Sequence, residues 1–201
     1  MKKIIVAGGC FWGVEHYYSL VKGIESTKCG YVNSLKENIT YQETCSQKYK
    51  AIEAVELTYD ESIISLDKIL ELLFRIIDPN ITNRQGNDIG VQYQAGVYTN
   101  SLLEQEQVLN YIVKEQKNYS KPIVIENTFV LNFTDAEEYH QKYLYKNPMG
   151  YCHINMNVFF ISFYFNKLFN YFIYNNFNYI SLTAPTDQLT FQLRLLGISS
   201  N

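Results

Sequence analysis

Along the first 150 positions the hydrophobic period switches repeatedly between that of a strand and that of a helix, which limits the chain to a layered mix of the two. Residues 3–7 form a short apolar run that stops at Gly8-Gly9, the pattern of a buried strand reaching a turn. Residues 11–22 read as a helix closed by Gly23. Residues 24–32 and 51–59 read as strands, with a long polar loop over 33–50 between them. Leu66, Ile69, Leu70, Leu73, Phe74 and Ile77 place one apolar face on a helix over 65–77, and Asp78-Pro79 ends it. A polar loop over 80–90 follows, then a strand over 91–98, a helix over 102–118, a strand-like run over 123–133 and a helix over 135–146. Asn147-Pro148-Met149-Gly150 breaks that last helix. The alternation predicts α/β or α+β packing in one domain, and no internal repeat is present.

Composition bounds the function. With 201 residues, 47% hydrophobic and 18% charged, the chain has one domain's worth of ordinary core, and a net charge of −3 gives no general attraction to nucleic acid. The N-terminal apolar run is too short for a signal peptide, so the cytoplasm is expected. The four cysteines, Cys10, Cys29, Cys45 and Cys152, form no CxxC pair and no Cys/His cluster of zinc spacing, so no metal is expected. In a reducing compartment a cysteine is more often catalytic than structural.

Residues 158–179 change character. They are almost wholly Phe, Tyr, Ile and Asn, and Asn166, Lys167, Asn170, Asn175 and Asn176 interrupt them too often for a membrane span. The expected organisation is therefore a domain over 1–155 and an atypical aromatic and Asn-rich extension over 156–201.

The chemistry concentrates in Gly8-Gly9-Cys10-Phe11-Trp12-Gly13. Two glycines allow a sharp turn, and the helix end that follows offers unpaired N–H groups and a partial positive charge. Both are expected to stabilise a thiolate at Cys10 and lower its pKa. Adjacent helical residues diverge by about 100°, so one or both of Phe11 and Trp12 are expected to wall an apolar pocket able to hold a methyl group. In the strand over 51–59, Glu53 shares a face with Val55, Leu57 and Tyr59, which would desolvate its carboxyl and raise its pKa; the residues alone nevertheless favour an ordinary hydrated carboxylate at a strand end or edge. Tyr41 and Tyr93 are hydroxyl donors beside polar loops, and Asp88 lies in a dense polar run just before Tyr93.

The Gly-Cys-Phe-Trp-Gly-Val-Glu run resembles the signature of the peptide-methionine (S)-S-oxide reductases. Tyr41-Gln42-Glu43-Thr44-Cys45-Ser46, Glu53-Ala54-Val55, the run from Arg84 to Tyr93, Glu138-Tyr139-His140-Gln141 and the run from Lys146 to Cys152 are similar to that family's other motifs, in order, from about residue 3 to 155. The resemblance implies an α+β fold: a single-domain two-layer sandwich with a ferredoxin-like core, a mixed or antiparallel sheet and an irregular C-terminal segment. It implies Cys10 as the nucleophile, Phe11 and Trp12 as the methyl pocket and Glu53 as the proton donor. Tyr41 and Tyr93 would bond the sulfoxide oxygen, Asp88 would support the site and Cys152 would be the resolving cysteine. Cys10 and Cys152 are far apart in sequence, so the C-terminal part must fold back over the site or move there transiently. The implied reductant is thioredoxin or another dithiol, with no other cofactor. The implied substrates are oxidised proteins or free methionine sulfoxide, and a monomer with no nucleic-acid or membrane partner is expected. Lys50-Ala51-Ile52 and Asn33-Ser34 depart from the family pattern, and so does the chain after Met156. An impaired member with a corrupted C-terminus is the alternative. A cysteine protease using Cys10 with His140 is weaker, because nothing orients a base near Cys10 in sequence.

Overall fold

The computed structural model describes residues 1–155. The sequence-predicted extension over 156–201 lies outside the described residues.

Strands β1 (Lys2–Ala7), β2 (Ile24–Val32), β3 (Ile52–Tyr59) and β6 (Gly96–Thr99) form the centre of a six-stranded sheet, in which β7 (Glu126–Phe129) and β8 (Phe133–Asp135) are the edges. The order is β7-β6-β1-β3-β2-β8. Every neighbouring pair is antiparallel except β6 with β7. Helix α1 (Phe11–Ser19) connects β1 to β2, α3 (Leu66–Phe74) lies between β3 and β6, and α4 (Leu102–Glu115) lies between β6 and β7. This β-α-β-β-α-β order with strands 6-1-3-2 is the ferredoxin-like core in a mixed sheet that the sequence predicted.

Alternation along the strands explains the layers. Ile4, Val6, Cys29, Tyr31, Val55 and Leu57, all buried, share the face against α1 and α3. Ile5, Ala7, Val32, Ile52, Ala54 and Tyr98 point the other way into a second apolar cluster, capped by Val130 and Phe133. On α1, the Tyr18 hydroxyl donates to the Ile69 carbonyl of α3 at 2.8 Å, which ties the two helices together. The N-cap of α3 is Ser65, whose hydroxyl accepts from Lys68 N–H.

The sheet cannot be flat. Its edges β7 and β8 are five places apart in order, about 24 Å at about 4.8 Å per strand. Yet only residues 130–132 separate them, and four extended steps span at most about 14 Å. The sheet therefore curls until both edges come within reach. Val130 N–H donates to the Thr99 carbonyl at 3.0 Å and Asn33 N–H donates to the Asn132 carbonyl at 3.1 Å. The turn at Asn33 is left-handed, φ 51°, and its side chain accepts from Leu131 N–H at 2.7 Å.

Five sequence expectations are corrected. The run over 123–133 is not one strand, because the crossing at 130–132 splits it between opposite edges. Residues 91–93 are a 3-10 turn and the strand begins only at Gly96. The supposed loops over 33–50 and 80–90 contain α2 (Tyr41–Cys45) and a small hairpin of β4 (Arg84–Gln85) with β5 (Asp88–Ile89). Helix α1 stops at Ser19 rather than residue 22, with Gly23 at φ +95° turning the chain into β2. The helix over 135–146 shrinks to α5 (Tyr143–Lys146), because Lys142 is left-handed and the side chains before it bond to distant parts of the chain.

At Gly30 in β2 a Cβ would lie 2.2 Å from the Phe133 ring and 2.6 Å from the Thr134 carbonyl oxygen of β8. Neither the backbone nor the wedged ring can yield cheaply. Gly30→Ala is expected to push β8 off the sheet and to destabilise by about 2 kcal/mol or more, read as a lower urea midpoint.

Candidate active site

Five of the predicted site residues meet at the start of α1. Cys10 is its N-cap, 7% exposed, at the end of the Gly8-Gly9 turn, where Gly9 adopts φ +86°. A Cβ at Gly9 would lie 2.6 Å from Gln85, so only glycine lets β4 close over this turn. Glu53 reaches across from β3, 1% exposed, and its Oε2 accepts the Phe11 N–H at 3.2 Å. Tyr93 ends the 3-10 turn, and it feels the charges of Glu53, Tyr41, Cys10 and Asp88. Tyr41 opens α2, its ring 4.5 Å from that of His140.

Burial dominates the electrostatics. It pushes the Glu53 carboxyl from an ordinary 4.5 up to about 8, against the pull of the Phe11 N–H. Burial, then the Glu53 charge, push the Cys10 thiol well up, and only the Trp12 N–H works strongly the other way. This corrects the expectation of a lowered thiol: one N–H and a helix end do not outweigh loss of water. Burial likewise holds Tyr41 and Tyr93 neutral, and therefore able to donate. Both shifts favour the protonated forms, the thiol on Cys10 and the carboxylic acid on Glu53.

Trp12 and Phe11 diverge as helical geometry requires. Phe11 is buried beside Tyr31 and His140. Trp12 is partly exposed, stacks on Tyr143 at 3.8 Å with planes 14° apart, and donates Nε1–H to His140 Nδ1 at 3.0 Å. Because that nitrogen must accept, His140 carries its proton on Nε2, which is buried with no partner. Nδ1 is thus occupied by Trp12, which removes the protease reading.

Several organising residues escaped the sequence reading. Glu137 accepts from Tyr31 Oη at 2.7 Å and from Tyr41 N–H at 2.9 Å, so it holds both an aromatic wall and the start of α2. Gln141 bonds both Cys29 N–H and the Cys29 carbonyl. Glu15, buried on α1, accepts the Lys142 N–H at 2.7 Å and fixes the left-handed turn that delivers Tyr143 to Trp12. The capping box of Thr40 with Glu43 was the one readable signal, and it announces α2.

Cys152 reaches the same helix. A Cβ at Gly13 would lie 3.1 Å from its sulfur, so the second cysteine sits on the first turn of α1, with both thiols free. The C-terminal part does fold back over the site. Burial and then the neighbouring Asp88 carboxyl push the Tyr151 hydroxyl up to about 12. Cys29 is buried against the Phe11 carbonyl, whereas Cys45 is exposed. Among the described residues no group of three or more His, Cys, Asp or Glu is placed to hold a metal ion, and no helix is long and apolar enough to cross a membrane.

The family model for peptide methionine sulfoxide reductase matches residues 2–169. The chain belongs to the peptide methionine sulfoxide reductase family. Peptide methionine sulfoxide reductase MsrA of Mycoplasma genitalium is 52% identical over 157 residues, covering 78% of this chain and all of that protein. Mxr1 of Saccharomyces cerevisiae in reduced form superposes with a TM-score of 0.74 at 34% identity, over 77% of this chain and 91% of that one. Mxr1 has also been solved in complex with Trx2, with a TM-score of 0.50 at 27% identity over 71% and 84% of the two chains. The peptide methionine sulfoxide reductase fold is thus shared, and this chain is an enzyme of that family.

A carboxyl raised to about 8 binds its proton more tightly folded than unfolded, so stability falls as pH rises from about 4.5 through 8. Glu53→Gln is expected to flatten that decline. Urea midpoints at pH 5 and pH 9 should differ less in the variant than in the parent.

Proposed function

We propose that this chain reduces the S epimer of methionine sulfoxide, free or in proteins, to methionine, with Cys10 as nucleophile. The observation that carries the reading is a carboxyl still protonated near neutral pH, bonded to the N–H of the residue next to the buried thiol.

The step balances without outside electrons. Cys10 sulfur attacks the sulfoxide sulfur while Glu53 gives its proton to the departing oxygen, and the thiol proton replaces the one Glu53 gave. Oxygen ends on Cys10 as a sulfenic acid, and methionine leaves. Neutral Tyr41 and Tyr93 donate hydrogen bonds to the oxygen as negative charge grows on it, and Asp88 supports the site. Phe11 and Trp12 hold the methyl group. Methyl wall, oxygen donors and attacking sulfur fix three directions around a pyramidal sulfur, so only one hand presents all three correctly.

Cys152 then attacks the sulfenic sulfur, and thioredoxin or another dithiol reduces the disulfide by exchange. The solved complex of the relative Mxr1 with Trx2 supports that partner. No other cofactor is needed, and the reducing dithiols it requires make a reducing compartment such as the cytoplasm the natural setting.

Cys10→Ser is expected to form no methionine. Cys152→Ser should form one equivalent in a single turnover without reductant, yet lose steady-state turnover with thioredoxin by at least about 100-fold. Glu53→Gln should slow the first turnover by at least about 100-fold. Equal turnover of the R epimer would sink the reading.

A further inference from the structure

Residues 153 and 154 form a bend that closes on the Cys152 thiol, which donates to the Ile154 carbonyl at 3.4 Å. Cys152 Sγ and Ile154 Cδ1 both lie 3.1 Å from where a Cβ of Gly13 would stand, so both rest on the first turn of α1. His153 points the opposite way, into a slot between the Gly8-Gly9 turn and the β4–β5 hairpin. Its Nε2 lies 2.9 Å from the Gly8 carbonyl oxygen. A Cβ at Gly9 would sit 2.9 Å from that same nitrogen. The His153 side chain is only 5% exposed.

The tautomer follows. A carbonyl oxygen can only accept, so Nε2 carries the proton and Nδ1 is bare. Burial, which lowers the ring's pKa, keeps it neutral. Nδ1 lies 3.7 Å from Asp88 Oδ2, and both atoms are buried with no hydrogen-bond partner. His153 therefore bonds the turn that launches Cys10 through Nε2, while its other nitrogen lies beside the carboxyl predicted to support the site without bonding it. The mechanism above uses neither contact.

We propose that His153 is the positioning residue of the recycling step, fastening the segment that bears Cys152 to the Gly8 carbonyl so that its thiol stays at the first turn of α1. This rests on the reading of Cys152 as the resolving cysteine. In that step the Cys152 sulfur bonds the Cys10 sulfur, the S–O bond of the sulfenic acid breaks, and the thiol proton leaves with the hydroxyl as water. The rate depends on how often the second sulfur is within reach, which a tether raises and a frayed segment lowers.

The test is a single turnover of the full chain with methionine sulfoxide and no reductant. It follows methionine formed, sulfenic acid trapped by a dione reagent, and free thiols remaining. His153→Ala is expected to form methionine at the parent rate while its second thiol disappears about fivefold or more slowly and sulfenic acid accumulates. His153→Gln, whose amide can still donate to the Gly8 carbonyl, should close within about twofold of the parent. Closure of His153→Ala at the parent rate overturns the proposal. So does an equal loss of methionine formation, which would mean general damage to the site, or failure of His153→Gln to rescue. Cys152→Ser is run alongside: if it still loses both thiols, the assignment of Cys152 itself fails, whatever His153 does.

Discussion

One hydrogen bond joins the two halves of this site. The Phe11 N–H, the first free donor of α1, points at Glu53 on β3. It ties the helix that carries the thiol to the strand that carries the acid, and it does so where water is excluded. Without it Glu53 would be a buried carboxyl with no donor, which is costly whether or not it is ionised. With it, the group keeps its proton near neutral pH without being locked in the protonated state. The raised thiol beside it has the same origin in burial.

The second theme is how much of the pocket is held from behind. His140 lies among the rings of Phe11, Trp12, Tyr41 and Tyr139, at centroid distances of 4.2 to 5.6 Å. Glu137, Gln141 and Glu15 fasten the same stretch of chain to β2, α2 and α1. Residues from 137 to 143 are therefore irregular because their polar groups are used elsewhere, not because the chain is loose there. Packing of this kind fixes the rotamers of the aromatic residues before any substrate arrives.

What the sequence revealed tracks what was local. The Gly8-Gly9-Cys10 turn and the helix after it follow from neighbours within a few residues, whereas Glu53, which the residues alone placed in water, is 1% exposed. The strand pattern of residues 24–32 and 52–59 was equally plain. The failures are long-range. Tyr93 looked like part of a strand, yet β6 starts only at Gly96, since the Gly90 N–H and the Asn83 carbonyl first close the hairpin loop. The apolar run at 123–133 has strand composition throughout, and nothing in it announces a change of sheet edge. Lys142 in a left-handed turn gives no local signal either, because the bond from Glu15 that sustains it comes from 127 residues away. The sign of the Cys10 shift was misread for a related reason: the helix end is visible in sequence and the depth of burial is not.

The curled sheet has a further meaning for a protein of this kind. Its two outermost strands are only four and three residues long, β7 and β8. Open backbone on a strand's rim is what lets one chain recruit another into a growing ribbon. An enzyme proposed to work on oxidised, partly unfolded polypeptides meets many sticky chains at close range. Rims this brief give such clients little to zip onto, so a client can touch the catalytic groove and leave rather than seed an aggregate.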